Sequence, residues 1–122
     1  MSSTDFVIER VSASPDAAHL RAQVPADLLY FEGHFEGRPM LPGIAEVLLL
    51  VHRRAQEVFG PLGAEKRMVR LKFEAVIVPG DLLDVHLARS EKDGEARIEF
   101  RILRGDERCA SGALVYALGA AR

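Results

Sequence analysis

The spacing of apolar positions changes twice along the chain. Residues 6–11 (Phe-Val-Ile-Glu-Arg-Val) and 18–24 (Ala-His-Leu-Arg-Ala-Gln-Val) read as strands on either side of a Ser-Pro-Asp turn signal. From Ile44 to Val58 the period lengthens to that of a helix, preceded by Pro42-Gly43 and stopped by Gly60-Pro61. At about 100° per residue, the advance of a 3.6-residue turn, Arg53, Arg54, Gln56 and Glu57 make a polar stripe opposite Val47, Val51, Ala55 and Val58. Glu46 falls at the centre of that stripe. The rest of the first half is apolar almost all round, which predicts a buried helix start. Four strand patterns follow, over 68–78, 82–89, 96–103 and 109–118, punctuated by Pro79-Gly80-Asp81, Lys92-Asp93-Gly94 and Arg104-Gly105-Asp106. Two strands, an irregular stretch, one apolar helix and a four-strand meander predict an α+β domain, an antiparallel sheet wrapped on a central helix.

Such a sheet leaves edges open, and pairing them across a two-fold axis predicts a homodimer or higher even oligomer. At 122 residues, the chain is long enough for one core and is read as a single domain, 1–122. A net charge of −2 removes the basic excess that nucleic-acid binding needs. The longest apolar run, Ile44 to Val51, contains Glu46 and is too short to span a bilayer, so no membrane partner is expected. Met1 to Asp5 lacks the charged and apolar regions of a signal peptide, and a cytoplasmic setting is expected. The single cysteine, Cys109, has no internal disulfide partner, and no Cys/His group has zinc-ligand spacing, so no metal is expected.

The segment that carries candidate chemistry is Gly33-His34-Phe35-Glu36-Gly37-Arg38-Pro39-Met40-Leu41-Pro42-Gly43. It closes an irregular stretch from Pro25 to Pro42, long for so small a domain unless it has a task. Histidine has an unperturbed pKa suited to proton transfer near neutrality. Free N–H groups at a helix start can stabilise an oxyanion, and glycine there lets a carbonyl approach closely. Together His34 and Gly43 suit enolate chemistry beside a thioester carbonyl; a loop histidine in a local hydrogen-bond network is the alternative.

Gly-His-Phe-x-Gly-x-Pro-x-x-Pro-Gly before an apolar helix resembles the signature of the β-hydroxyacyl-(acyl carrier protein) dehydratases of fatty-acid synthesis. It is also similar to the dehydratase-like proteins of aryl-polyene-type pigment pathways. The likeness continues through Arg70-Leu71-Lys72-Phe73 and Val78-Pro79-Gly80-Asp81 and covers roughly residues 25–118. It implies a hotdog fold, an active site at a homodimer interface, and an acyl chain in an apolar tunnel beside the helix. It implies that His34 takes the proton next to the thioester carbonyl and that the Gly43 N–H donates to the carbonyl oxygen. Phe35, Gly43 and Leu48 are then the candidate substrate-contacting positions. The implied substrate is a 3-hydroxyacyl thioester of acyl carrier protein or coenzyme A. No cofactor is implied, since loss of water changes no oxidation state of a coenzyme.

One position departs from that pattern. The family's second catalytic group is a carboxylate fourteen residues after the histidine, and here that position is Leu48. Glu46 and His52 are the candidate replacements for the acid. In an ordinary helix His52 shares the Leu48 face, whereas Glu46 points nearly the opposite way, so a role for Glu46 requires an unwound or displaced helix start. Dehydration therefore stands beside two other readings: a non-catalytic acyl-binding or partner subunit, and thioester hydrolysis with Glu46 activating water. Elsewhere, His19 and His86 read as sheet-face residues, Cys109 as a buried thiol, and Tyr30 and Phe31 as loop anchors or tunnel lining. Lys66, Arg67, Arg70, Arg53 and Arg54 read as a solvated face that could also receive an acidic carrier protein.

Overall fold

The computed structural model describes residues 4–27 and 41–118. Strands β1 (Val7–Ala13) and β2 (Ala17–Gln23) form a hairpin, and a helical segment α1 occupies 43–59. Four strands follow: β3 (Glu65–Phe73), β4 (Leu82–Lys92), β5 (Glu95–Arg104) and β6 (Glu107–Ala117). They form one six-stranded antiparallel sheet in the order β1-β2-β4-β5-β6-β3. This is the hotdog architecture, α+β with a sheet around one helix.

Alternation builds the core. Ala18, Leu20 and Ala22 of β2, Leu83, Val85 and Leu87 of β4, and Ala96, Ile98, Phe100 and Ile102 of β5 all face inward. They close on Val47, Leu49, Leu50, Val51 and Ala55 of α1. The intervening residues face outward: Asp84 and His86 are half-buried, and Glu99 and Arg101 are exposed.

The expected four-strand meander is corrected to three strands, β4-β5-β6. β3 pairs with β6 at the sheet edge rather than with β4. β3 also stops at Phe73, short of the expected Val78. Past it, the N–H groups of Glu74 and Ala75 both donate to the Cys109 carbonyl, and Leu41 N–H donates to Ile77 O. Ile77 is thereby buried. The Pro79-Gly80-Asp81 turn is tied by Asp81, which accepts from Val78 N–H and from Arg104. These bonds carry the chain from β3 across to β4.

α1 is not a uniform helix. It begins with Gly43–Ala45, runs through a π-helical stretch Glu46–His52, and ends as the α-helix Arg53–Phe59. Within the stretch Arg53 N–H donates to Leu48 O, five residues back. Such turns are rare and recur at functional sites.

Candidate active site

The wide turn decides where the helix side chains point. Each residue of an i→i+5 turn rotates through less than the 100° of an α-helix, so faces assigned with that angle slip. Glu46, placed by the sequence on the polar stripe with Arg53 and Glu57, is buried at 3% exposure beside Val47, Leu49 and Leu50. Arg54, another member of that stripe, is buried to the same degree. Leu48, at the position of the family's carboxylate, is 43% exposed.

Glu46 shares a cleft of about 300 Å³ with Leu41, Gly43, Phe73, Glu74, Ala75 and Val76. Its Oε1 is buried and has no hydrogen-bond partner among the described residues. Burial pushes its carboxyl pKa up to about 8, so it holds its proton at neutral pH. Gly43, at the mouth of the helix, carries the Phe73 ring close above it: a Cβ there would lie 3.0–3.2 Å from three ring carbons. Any larger residue would press on that ring and push it back by a few tenths of an ångström. Pro42 is extended (φ −63°, ψ 146°), and its carbonyl accepts from Ala45 N–H and Glu46 N–H. The first N–H groups of a helix have no intrahelical acceptor, and Gly43, the first residue of this one, lines the same cleft.

His52 is engaged elsewhere. Its Nδ1 is 2.7 Å from the hydroxyl of Tyr116 on β6, with the two rings stacked at 5.6 Å. Tyr116 is fully buried, and burial foremost, then Glu65, raises its pKa. The phenol therefore keeps its proton, and a hydrogen bond joins it to His52. His34 and Phe35, with Tyr30 and Phe31, lie outside the described residues. The structure thus joins Gly43 and Glu46 in one cleft and ties His52 to the sheet.

Phe73 and Tyr116 were not singled out from the sequence. The aromatic ring of Phe73 stood beside the family-like run that ends at it, but nothing in the spacing tells that it lies over Gly43. Of the five basic residues read as a solvated face, Arg53, Lys66, Arg67 and Arg70 are exposed and Arg54 alone is corrected, being buried; Lys66 and Arg67 pair with Glu95, and Arg53 and Arg54 pair with Asp5. Arg70 alone of the five is left without such a partner among the described residues. Cys109 is buried, and burial raises its thiol pKa, which suits an inert thiol. His19 and His86 lie on the outer sheet face as expected. Among the described residues no helix is long and apolar enough to cross a membrane.

Known proteins share this fold. The ApeI-like family, described as ApeI dehydratase, matches residues 10–113. The 3-hydroxyacyl-(acyl-carrier-protein) dehydratase FabZ of Alkaliphilus metalliredigens is 31% identical over 102 residues, covering 78% of this chain and 69% of that protein. The dehydratase heterocomplex ApeI:P of Xenorhabdus doucetiae superposes with a TM-score of 0.77 at 22% identity, over 94% of this chain and 98% of that one. A hypothetical thioesterase protein of Streptococcus pneumoniae, solved with coenzyme A, gives 0.75 at 10% identity, over 97% and 93%. At such identities the two structural likenesses establish the hotdog fold. The family match spans most of the chain, from β1 into β6, and takes in His34, Gly43 and Glu46: the chain belongs to the ApeI-like dehydratase family.

Proposed function

We propose that this chain dehydrates a 3-hydroxyacyl thioester, with His34 as base, Gly43 as carbonyl donor and Glu46 as acid. The observation that carries the reading is the shared cleft: a buried, protonated and unpartnered carboxyl opens into the same space as the helix-start glycine. His34 removes the proton from C2 while the Gly43 N–H receives the charge growing on the thioester oxygen. The C3–O bond breaks, and Glu46 gives its proton to the departing hydroxide, leaving water and the C2=C3 double bond. The imidazolium proton then returns the carboxylate to its acid form. Glu46 is favoured over His52 because His52 is held by Tyr116, and over Leu48 because a hydrocarbon carries no proton.

The relatives named as acyl-carrier-protein dehydratases support a carrier-bound substrate. The exposed edge strand β3, with Met68 and Phe73 part-exposed, supports assembly through that edge, as does apolar surface at Ile44 and Leu48. A homodimer would cover both.

The test is turnover of a 3-hydroxyacyl thioester, followed by the absorbance of the conjugated enoyl product. His34→Ala and Glu46→Gln should each lower kcat roughly 10²–10⁴-fold, while His52→Gln keeps most of it. Full activity in Glu46→Gln removes Glu46 from the chemistry. No turnover by the wild type, with a Leu48→Glu variant gaining it, establishes acyl binding instead; free thiol release establishes hydrolysis.

A further inference from the structure

The outer face of the sheet carries a second constellation that dehydration does not use. Strand register sets Lys72 opposite Ser111, Ser111 opposite Arg101, Arg101 opposite His86, and His86 opposite His19. Directly opposed residues share a face with their Cβ atoms about 5 Å apart. These five side chains therefore form one row over β3, β6, β5, β4 and β2, roughly 19 Å long at about 4.8 Å per strand. Every member can donate a hydrogen bond, and none is a carboxylate.

The row is short of negative charge. The rings of His19 and His86 stack at 4.3 Å and 19°, and His19 Nε2 lies 2.7 Å from Asp84 Oδ1. Asp84 also faces Arg21 at 3.5 Å, so its charge is already shared. Burial, then the neighbouring His19 and Arg101, hold the His86 pKa below the usual histidine value. Arg101 and Lys72 enter no ion pair among the described residues, whereas Arg97 has Glu99 at 3.7 Å. Arg70 likewise enters no ion pair among the described residues. It adopts φ 54° where the β3 register slips between Val69 and Lys72. A non-glycine residue held at positive φ is strained, and such strain gathers at ligand sites.

Two clefts lie along the row, one bordered by Arg101 and the other by Lys72 and Ser111. A cleft of about 640 Å³ borders His19, His86 and Arg101, over a low floor made by the opposed pair Ala17 and Ala88. A smaller one of about 200 Å³ holds Arg70, Lys72 and Arg97 around Ser111. The larger is of the size that takes a small organic molecule. Neither shares a lining residue with the cleft of Gly43 and Glu46.

We propose that this row binds an organic phosphate monoester, its phosphate between Lys72 and Arg101 over Ser111 and its organic part above Ala17 and Ala88. A guanidinium offers a fork of donors matched to phosphate oxygens, an ammonium adds a point charge, and the hydroxyl satisfies a third oxygen. Glu99 borders both clefts, but Arg97 draws its charge away from the row.

The experiment is an NMR titration at constant ionic strength with inorganic phosphate and with phenyl phosphate, following amide and histidine ring signals. Both should produce saturable shifts at Ser111, Gly112 and His86, phenyl phosphate binding the more tightly. Arg101→Gln and Lys72→Gln should each weaken phenyl phosphate about tenfold or more, as loss of a charged hydrogen bond does. Arg10→Gln, a basic site away from the row, should leave it unchanged, and melting curves of all three should overlay the wild type. Equal weakening by all three variants, or shifts reproduced by chloride, overturns the site. Phenyl phosphate binding no tighter than inorganic phosphate overturns the assignment of the larger cleft.

Discussion

Glu46 is the residue on which the chemistry and the stability of the fold both turn. An ordinary glutamate titrates near 4.5, whereas this one is raised to about 8 by burial. Below 4.5 the folded and unfolded chains both hold the proton, and the group leaves stability unchanged. Between 4.5 and 8 the unfolded chain ionises while the folded one does not, so stability falls as pH rises, by roughly 3–5 kcal/mol in all. Above 8 the loss is complete. Glu46→Gln should therefore flatten the dependence of Tm on pH between about 5 and 8; a slope equal to the wild type's would contradict a buried proton. In catalysis the same proton is the reagent, and kcat should decline as pH passes about 8. The Tyr116–His52 pair gives a contrasting case. Tyr116→Phe leaves His52 Nδ1 without its hydrogen-bond partner and should cost about 1–2 kcal/mol in thermal melts. Turnover should persist, since His52 is a tether in this reading. The glutamate was legible as a candidate because it interrupts an apolar run, and those apolar neighbours already allowed its burial; what misled was the α-helical angle, which set it on the polar stripe when the turn is wider.

At the scale of the elements, the π-helical stretch is what brings Glu46 inward, and the end of the helix is held from outside the sheet. Arg54 is 97% buried and donates to Asp5 at 2.7 Å, with Glu57 at 3.5 Å as a second carboxylate. Burial pushes the Asp5 carboxyl up, yet the hydrogen bonds from Arg54 and from Phe6 N–H, with Arg54 and Arg53 charges, outweigh it and leave the pKa lowered. Asp5→Ala strands a buried guanidinium and should destabilise the fold by about 2–3 kcal/mol, less than a fully enclosed pair because Asp5 is part-exposed. Denaturant unfolding measures it. An Arg54→Leu change in the same background should recover most of the loss by removing the buried charge. The strands show a comparable division. Their alternation was readable in β2, β4 and β5, where one face meets the core. The β3 ending was not, because its limit is set by bonds from Glu74 and Ala75 to Cys109 on a different strand.

At the scale of the molecule, the sheet ends in β1 and β3, both of which carry a register slip. Bulges of this kind blunt an edge against uncontrolled pairing. β3 nevertheless adjoins the exposed apolar residue Phe73, whose ring lies against Gly43, so a partner seated there would reach the mouth of the candidate site. Light scattering should return a mass near twice 13.4 kDa, or an even multiple of it, at micromolar concentration. A mass of about 13 kDa would remove assembly from the proposal. Introducing lysine at Phe73 should shift the population toward the monomer and lower turnover together.

The sequence by itself determined the class of fold, the helix within a residue at each end, and the family, since period and a dense glycine–proline motif are local properties. It also exposed the missing carboxylate at Leu48, because that is a matter of spacing. Only the tertiary structure decided which strand lies beside which, since β3 chooses β6 through long-range hydrogen bonds. The sequence left Glu46 and His52 both open with a slight lean to Glu46, and what now supports that lean is tertiary: a five-residue helical turn and a phenol sixty-four positions away from His52. The donor row from Lys72 to His19 was hidden for the same reason: its members are scattered through the sequence, and register alone aligns them.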